Sequence, residues 1–367
     1  MTASDAEARG AGQAQHASGV PAARWQRLTR GINLSHWFAQ ARRYDQAHLR
    51  SYITAADLDL IRAMGFAHVR FTLNPALLLD RAAPERLVAE ALAEVDRALD
   101  LILARELAVI VDLHPEDDFK HWLGDSAEAA SIFARFWRAL AAHLAARDPE
   151  WLVLEVLNEP VIADGARWAA IQRAALQAMR EGAPDHTLIA SGHRWSSLPE
   201  LLELEPVTDR NVVYNFHCYD PHIFTHQSAT WSMSFLPHLR HLPYPSSPEA
   251  IAALLPRIDD PRAREAARVY GEERWNATRM RDWLAQAAAW AARHGVRLTC
   301  NEFGVYRVGA LPEHRLAWLR DVRSILEELD IGWTMWDYAG GFSVVLDQDG
   351  RRVPDVATLA ALGLSWS

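Results

Sequence analysis

After residue 28, short apolar runs alternate with longer stretches in which apolar residues recur every three or four positions. The short runs are residues 28–34, 67–73, 107–113, 151–157, 186–190, 212–219, 296–301 and 332–336. Residues 107–113 read LAVIVDL, apolar almost throughout, as expected of a parallel strand covered on both faces. The longer stretches predict helices over 55–64, 84–104, 126–146, 166–181, 273–294, 313–326 and 356–362. Thr54 is placed to cap the first of these, and Gly65 to end it in the left-handed conformation. Alternation of this length fits a closed eight-fold barrel or an open doubly wound sheet. No glycine-rich phosphate turn follows the first strand, which removes the main support for the open sheet. The expected fold is therefore α/β, a (β/α)8 barrel of the TIM type, as one catalytic domain over residues 25–367.

Two segments break the alternation. Residues 220–264, after the sixth strand, are rich in Pro, Ser, His and aromatics, among them Phe224, Trp231, Phe235 and Tyr244. A loop that long inside a compact domain is usually functional, and its aromatic content predicts a wall of the active site. Residues 1–24 are rich in Ala, Gly, Ser and Gln and are expected to form a disordered tail. They do not read as a secretory signal, so a cytoplasmic protein is expected, or a secreted or periplasmic one if the start has been trimmed.

Composition narrows the partners. Lys+Arg number 38 against 47 Asp+Glu, a net charge of −9, and no basic stripe suggests nucleic acid. No apolar run is long enough to span a bilayer. The two cysteines, Cys218 and Cys300, lie in apolar strand-like segments and are expected to be buried free thiols. A monomer without metal or cofactor is expected.

Chemistry collects where the apolar runs end, the end of a barrel strand at which active sites sit. Arg70 lies in the second run, His114 follows the third, Asn158 and Glu159 follow the fourth, and His217 and Tyr219 end the sixth. The seventh leads into Glu302, and the eighth ends on Trp336. A lone Glu at a strand end would mean little, but polar or aromatic groups recur around most of the ring. Two carboxyls in different environments can divide acid and base work, one donating a proton while the other stays ionised. The 15 tryptophans, more than the 11 Phe or the 8 Tyr, suit the apolar faces of sugar rings, although Trp137 and Trp318 read as packing between helix and barrel.

VLNEP (156–160) and CNEFG (300–304), with RF at Arg70, DLH at 112–114, FHCY at 216–219 and GWTMWDYAGGF at 332–342, resemble glycoside hydrolase family 5. The resemblance runs from about Gly31 to Phe342. It implies a retaining β-glycosidase with Glu159 as acid/base and Glu302 as nucleophile. It further implies that Asn158 bonds the sugar 2-hydroxyl, that Arg70 keeps the nucleophile ionised, and that His114 and His217 contact sugar. Tyr219 would stand beside the nucleophile, and Trp336 would underlie the sugar at the cleavage point. His36, Trp37 and Trp195 match rim positions less specifically. The implied partner is a β-glucan or oligosaccharide, with an endo-acting β-1,4-glucanase favoured over 1,3-β-glucan, mannan or short-glycoside specificity. A metal-dependent barrel hydrolase and a non-catalytic sugar-binding protein are the rivals from other classes. Asn276-Ala277-Thr278 matches a glycosylation sequon inside an expected helix.

Overall fold

The computed structural model describes residues 19–366. Eight strands close into a barrel in chain order: β1 (Arg30–Phe38), β2 (His68–Leu73), β3 (Ala108–Leu113), β4 (Leu152–Glu155), β5 (Thr187–Ser191), β6 (Val212–Cys218), β7 (Arg297–Phe303) and β8 (Gly332–Met335). All pairings are parallel, and β8 returns to β1 through Gly31↔Thr334 and Ile32↔Met335. The crossover connections place helices outside, where Trp137, Trp168, Trp290 and Trp318 are fully buried as part of the layer between helix and barrel. The helix Ala55–Ala63 shows how local sequence sets these boundaries. Thr54 and Asp57 form a reciprocal capping box at its start, and Gly65 follows its end at φ +92.

The barrel interior is layered. Near the amino ends of the strands, Ile110, Val153, Ile189 and Val213 form an apolar floor. The helix Ala22–Arg27 closes it, with Val20, Trp25 and Leu28 packed on that floor. Buried Arg24 pairs with Glu150 at 2.8 Å. The tail expected up to residue 24 thus overlaps this helix, and its first 18 residues lie outside the described part of the chain. Two residues further along the same strands the interior turns polar, at Asp112, Glu155, Ser191 and Asn215.

Several expectations needed correction. β1 starts and ends later than 28–34, reaching Phe38. The helix expected from Pro84 begins at Ala89, because turns at Ala83 and Arg86 consume the preceding segment. The helix expected over 273–294 starts later, at Ala277, and Glu273 belongs to a separate preceding helix. Pro261–Glu273 ends on Arg274 in the left-handed region (φ 52), and Ala277–His294 restarts under an Asn276 cap. The sequon asparagine therefore accepts the Arg279 N–H. The 220–264 segment is folded, with helical turns at His222–Thr225 and Pro248–Ala252 over buried Phe224, Leu236, Leu239 and Tyr244. A helix at Asp117–Asp125 and an antiparallel hairpin, β9 (Val345–Gln348) with β10 (Arg351–Pro354), have no counterpart in the periodicity reading. Cys218 and Cys300 are both buried and free. No helix among the described residues is long and apolar enough to cross a membrane.

Candidate active site

The site is built around one guanidinium. Arg70 points into the barrel from β2 and is completely buried. Its Nη1 donates to Glu302 Oε1 at 2.7 Å and to Asn33 Oδ1 at 3.1 Å. Its Nε and Nη2 donate to the two oxygens of Glu155 at 2.9 and 2.8 Å, and Nη2 also reaches Asn158 Oδ1 and Asp112 Oδ2, both at 3.0 Å. Burial alone would lower the guanidinium, but Asp112, Glu155 and Glu302 reverse this and hold it well above its ordinary value. A fixed cation beside Glu302 pairs with that carboxylate and aims it.

Glu302 reaches the mouth because β7 carries a bulge. Phe216 pairs with Cys300, but His217 pairs with Glu302, so Asn301 is an extra residue. The bulge interrupts the in–out alternation and lets neighbours Asn301 and Glu302 both serve the interior. Asn301 donates to Glu155 at 2.8 Å, while Glu302 takes bonds from Arg70 and, through Oε2, from the Tyr219 hydroxyl at 2.9 Å. Burial, then the Glu302 charge, raises the Tyr219 phenol well above its usual range, so it remains a donor.

Glu159 is a quarter exposed and sits at φ 44, a left-handed turn just past β4. His217 Nδ1 is 2.8 Å from Glu159 Oε1 and 3.7 Å from Glu302 Oε2. Burial pushes His217 down to about 4, so the ring is neutral at pH 7 and donates from Nδ1–H. One oxygen each of Glu159 and Glu302 and a His217 ring nitrogen lie within 4.8 Å of one another. An approach that close suits the short carboxyl separation of retention, about 5–5.5 Å, better than the roughly 6.5–9.5 Å of inversion.

The remaining ring is hydrogen-bonded in series. His114 Nδ1 donates to Asp112 Oδ2 at 2.8 Å, which leaves Nε2 to accept from Asn158 Nδ2 at 3.2 Å. Burial lowers His114 to about 3 and raises the Asp112 carboxyl to about 6. Trp336 stacks on the His114 ring, 5.6 Å between centroids and 15° between planes. The Trp336–Asp337 peptide is cis, and buried Asp337 accepts from Ser35 at 2.5 Å. Gly340 must lack a Cβ there, because one would lie 1.9 Å from Asp337 Oδ2 and 3.0 Å from His36 Nε2.

At the rim, the structure separates the expected residues. His36 is partly exposed near Asp337 and adopts φ 59. Trp195 is exposed after β5, and its backbone N–H donates to the Pro160 carbonyl beside Glu159. Trp37 is a correction. The irregularity of β1 between Leu34 and Phe38 breaks the alternation, and the indole turns outward into the core. It is fully buried, packs edge-on against Phe71 and donates to the Leu49 carbonyl at 2.7 Å, so it cannot meet substrate. The 220–264 segment supplies exposed Trp231, which meets Tyr306 edge-on at 4.7 Å; Tyr306 and then Phe342 continue the aromatic wall to Tyr219.

Sequence reasoning missed Asn33, Glu155, Asn215 and Asn301, and gave Asp112 no role. Their signal was present: a charge within a run such as WLVLEVL must be paired if both faces are covered.

The family model "Cellulase (glycosyl hydrolase family 5)" matches residues 29–341. Endoglucanase C of Acetivibrio thermocellus is 31% identical over 329 residues, covering 88% of this chain and 94% of that protein. Cellodextrinase A of Ruminococcus flavefaciens is 25% identical and covers 82% of each chain. The crystal structure of an endoglucanase from the hyperthermophilic Thermotoga maritima superposes with a TM-score of 0.75 at 23% identity, over 92% of this chain and 99% of that one. The matched region holds all eight strands and both mouth glutamates, and the protein belongs to glycosyl hydrolase family 5.

Proposed function

We propose that the protein is a retaining, endo-acting β-1,4-glucanase, with Glu302 as nucleophile and Glu159 as acid/base. The observation that carries this reading is the juxtaposition of Glu302, fixed by Arg70 and Tyr219, with Glu159 held by neutral His217. The likeness to Endoglucanase C along nearly its whole length supports the substrate class.

The chemistry follows from the donors. Glu302 has a bond to each oxygen, yet each keeps a lone pair; one forms the bond to the anomeric carbon as the glycosidic C–O bond breaks. Oε1 of Glu159 already accepts from His217, which places the acid proton on Oε2 for delivery to the departing oxygen. In the second step the Glu159 carboxylate takes a proton from water, whose oxygen displaces Glu302 from the anomeric carbon. Two inversions leave the β configuration. Asn158, with one N–H on His114 and its oxygen on Arg70, has a second N–H free to hold the sugar 2-hydroxyl.

A second reading, action on short soluble oligosaccharides, is favoured by the likeness to Cellodextrinase A and by the wall from the 220–264 segment. Digestion of cellopentaose and a soluble cellulose derivative, followed by proton NMR and chromatography, decides between them. The endo reading expects β-configured products and a rapid viscosity drop, undiminished by a strong chelator. α-Configured products or chelator-sensitive activity would overturn the mechanism; release only from short chains would select the second reading.

A further inference from the structure

We propose that Glu155, four residues ahead of the acid/base on β4, is a positioning residue that sets the charge balance on Arg70 and through it the nucleophilicity of Glu302. This inference rests on the hydrolytic reading above.

Glu155 is fully buried and never reaches the mouth. Four donors face its two oxygens. Oε1 takes Arg70 Nη2 at 2.8 Å and Asn215 Nδ2 at 3.3 Å; Oε2 takes Arg70 Nε at 2.9 Å and Asn301 Nδ2 at 2.8 Å. A neutral acid would set its own hydrogen against one of these donors, so the cradle is shaped for the anion. Burial raises the carboxyl, and Arg70 opposes it. The bidentate edge of Arg70 is thus spent on Glu155, and a single Nη1 donor is left for the nucleophile.

That division matters because a nucleophilic carboxylate has two opposed duties. It must be ionised before attack, yet retain enough electron density to form the ester bond and still leave in the second step. An uncompensated guanidinium would over-stabilise the anion and slow attack. Glu155 draws off part of that charge, as does Asp112 from β3. The other titratable groups facing Glu302 are Glu159 of the β4 loop, His114 after β3, and His217 and Tyr219 of the sixth unit, and the two histidines are neutral above pH 5. Arg70 stays in place without Glu155, since Asn33, Asn158 and Asp112 also hold it.

The test is the acid limb of the kcat/KM profile in Glu155→Gln and Glu155→Asp, with thermal unfolding measured alongside. Removing the charge should move the limb about one pH unit lower in Glu155→Gln. Hydrolysis of a poor-leaving-group cellooligosaccharide should slow about tenfold or more. Turnover of an activated aryl β-cellobioside, limited by breakdown of the glycosyl-enzyme, should not slow. Glu155→Asp withdraws the carboxylate by one methylene and should shift the limb the same way but less. If the amide prevents folding, the aspartate variant decides alone. A limb unmoved from wild type, whatever the loss of thermal stability, would overturn the proposal and leave Glu155 a packing residue. Trapping of Glu302 in the wild-type enzyme tests the hydrolytic reading separately, so the two ideas fail independently.

Discussion

At Glu159 the backbone turns left-handed, φ 44, a conformation that costs a residue bearing a side chain of order 1–3 kcal/mol. The turn aims the carboxyl at His217 and the cleft and is held by what surrounds it. Because proton transfer is the part proposed for this residue, the effect of Glu159→Gln should depend on the leaving group. Natural β-glucan hydrolysis should fall by roughly 10²–10⁴, whereas the first step on a dinitrophenyl β-glycoside should be nearly unaffected. Steady-state and burst kinetics on the two substrates check this; equal losses on both would remove Glu159 from the acid role. At this scale the two mouth glutamates were legible because each ends an apolar run. Glu155 and Asn301 carried a signal, a polar group inside an apolar run, but not the identity of the partners, which lie on other strands.

Among the elements, irregularities do the aiming. The β7 bulge delivers Glu302, the break in β1 exposes His36 while turning Trp37 away, and the segment after β5 holds Arg194, Trp195 and Ser196 all at positive φ. Three consecutive strained residues presenting an exposed indole fit a sugar platform beside the acid/base. Trp195→Ala and Trp231→Ala should each raise KM for long cellooligosaccharides by about three- to tenfold, with kcat little changed, as loss of a ~1 kcal/mol stacking contact implies. Kinetics on a ladder of chain lengths checks this, and an unchanged KM would make either residue ornamental. Strand alternation and helix spacing were readable from the sequence. The irregularities were not, since they obey register and neighbour pairing, which local periodicity does not carry.

For the molecule as a whole, the same burial that tunes the site makes stability depend on pH. His68, on the barrel's inner wall, bonds to the Arg27 carbonyl and Thr334 Oγ1 and fits only because Gly31 lacks a Cβ, which would lie 2.0 Å from its ring. Burial lowers His68 and His217 to about 4 and His114 to about 3, against 6.5 unfolded. Between these limits the unfolded chain binds more protons, so stability is full above pH 6.5 and is lost as pH falls. Asp112, raised to about 6, acts in the opposite sense, as do Glu155, Asp220 and Asp337, which burial also raises. But His186, His222 and His226 are lowered too, so six histidines stand against four carboxyls. The unfolding free energy should therefore drop from pH 6.5 to 4.5 by about 1.4 kcal/mol per pH unit for each excess proton. Urea titration at the two pH values checks it; equal stability would show that these rings protonate in place. The barrel itself was legible from eight alternating units. Its floor was not, because the short helix Ala22–Arg27 has too few residues to show a period and lay within a stretch that reads as tail.

The central claim is that Glu302 forms a covalent bond to sugar during turnover. Incubation with a 2-deoxy-2-fluoro cellobioside bearing a dinitrophenyl leaving group, followed by peptide mass spectrometry, tests it directly. One fluorosugar per chain on the peptide containing Glu302, with activity lost in step and regained on transfer to an acceptor, is the predicted result. Labelling at another carboxylate, or turnover that continues with no label at all, would contradict the account.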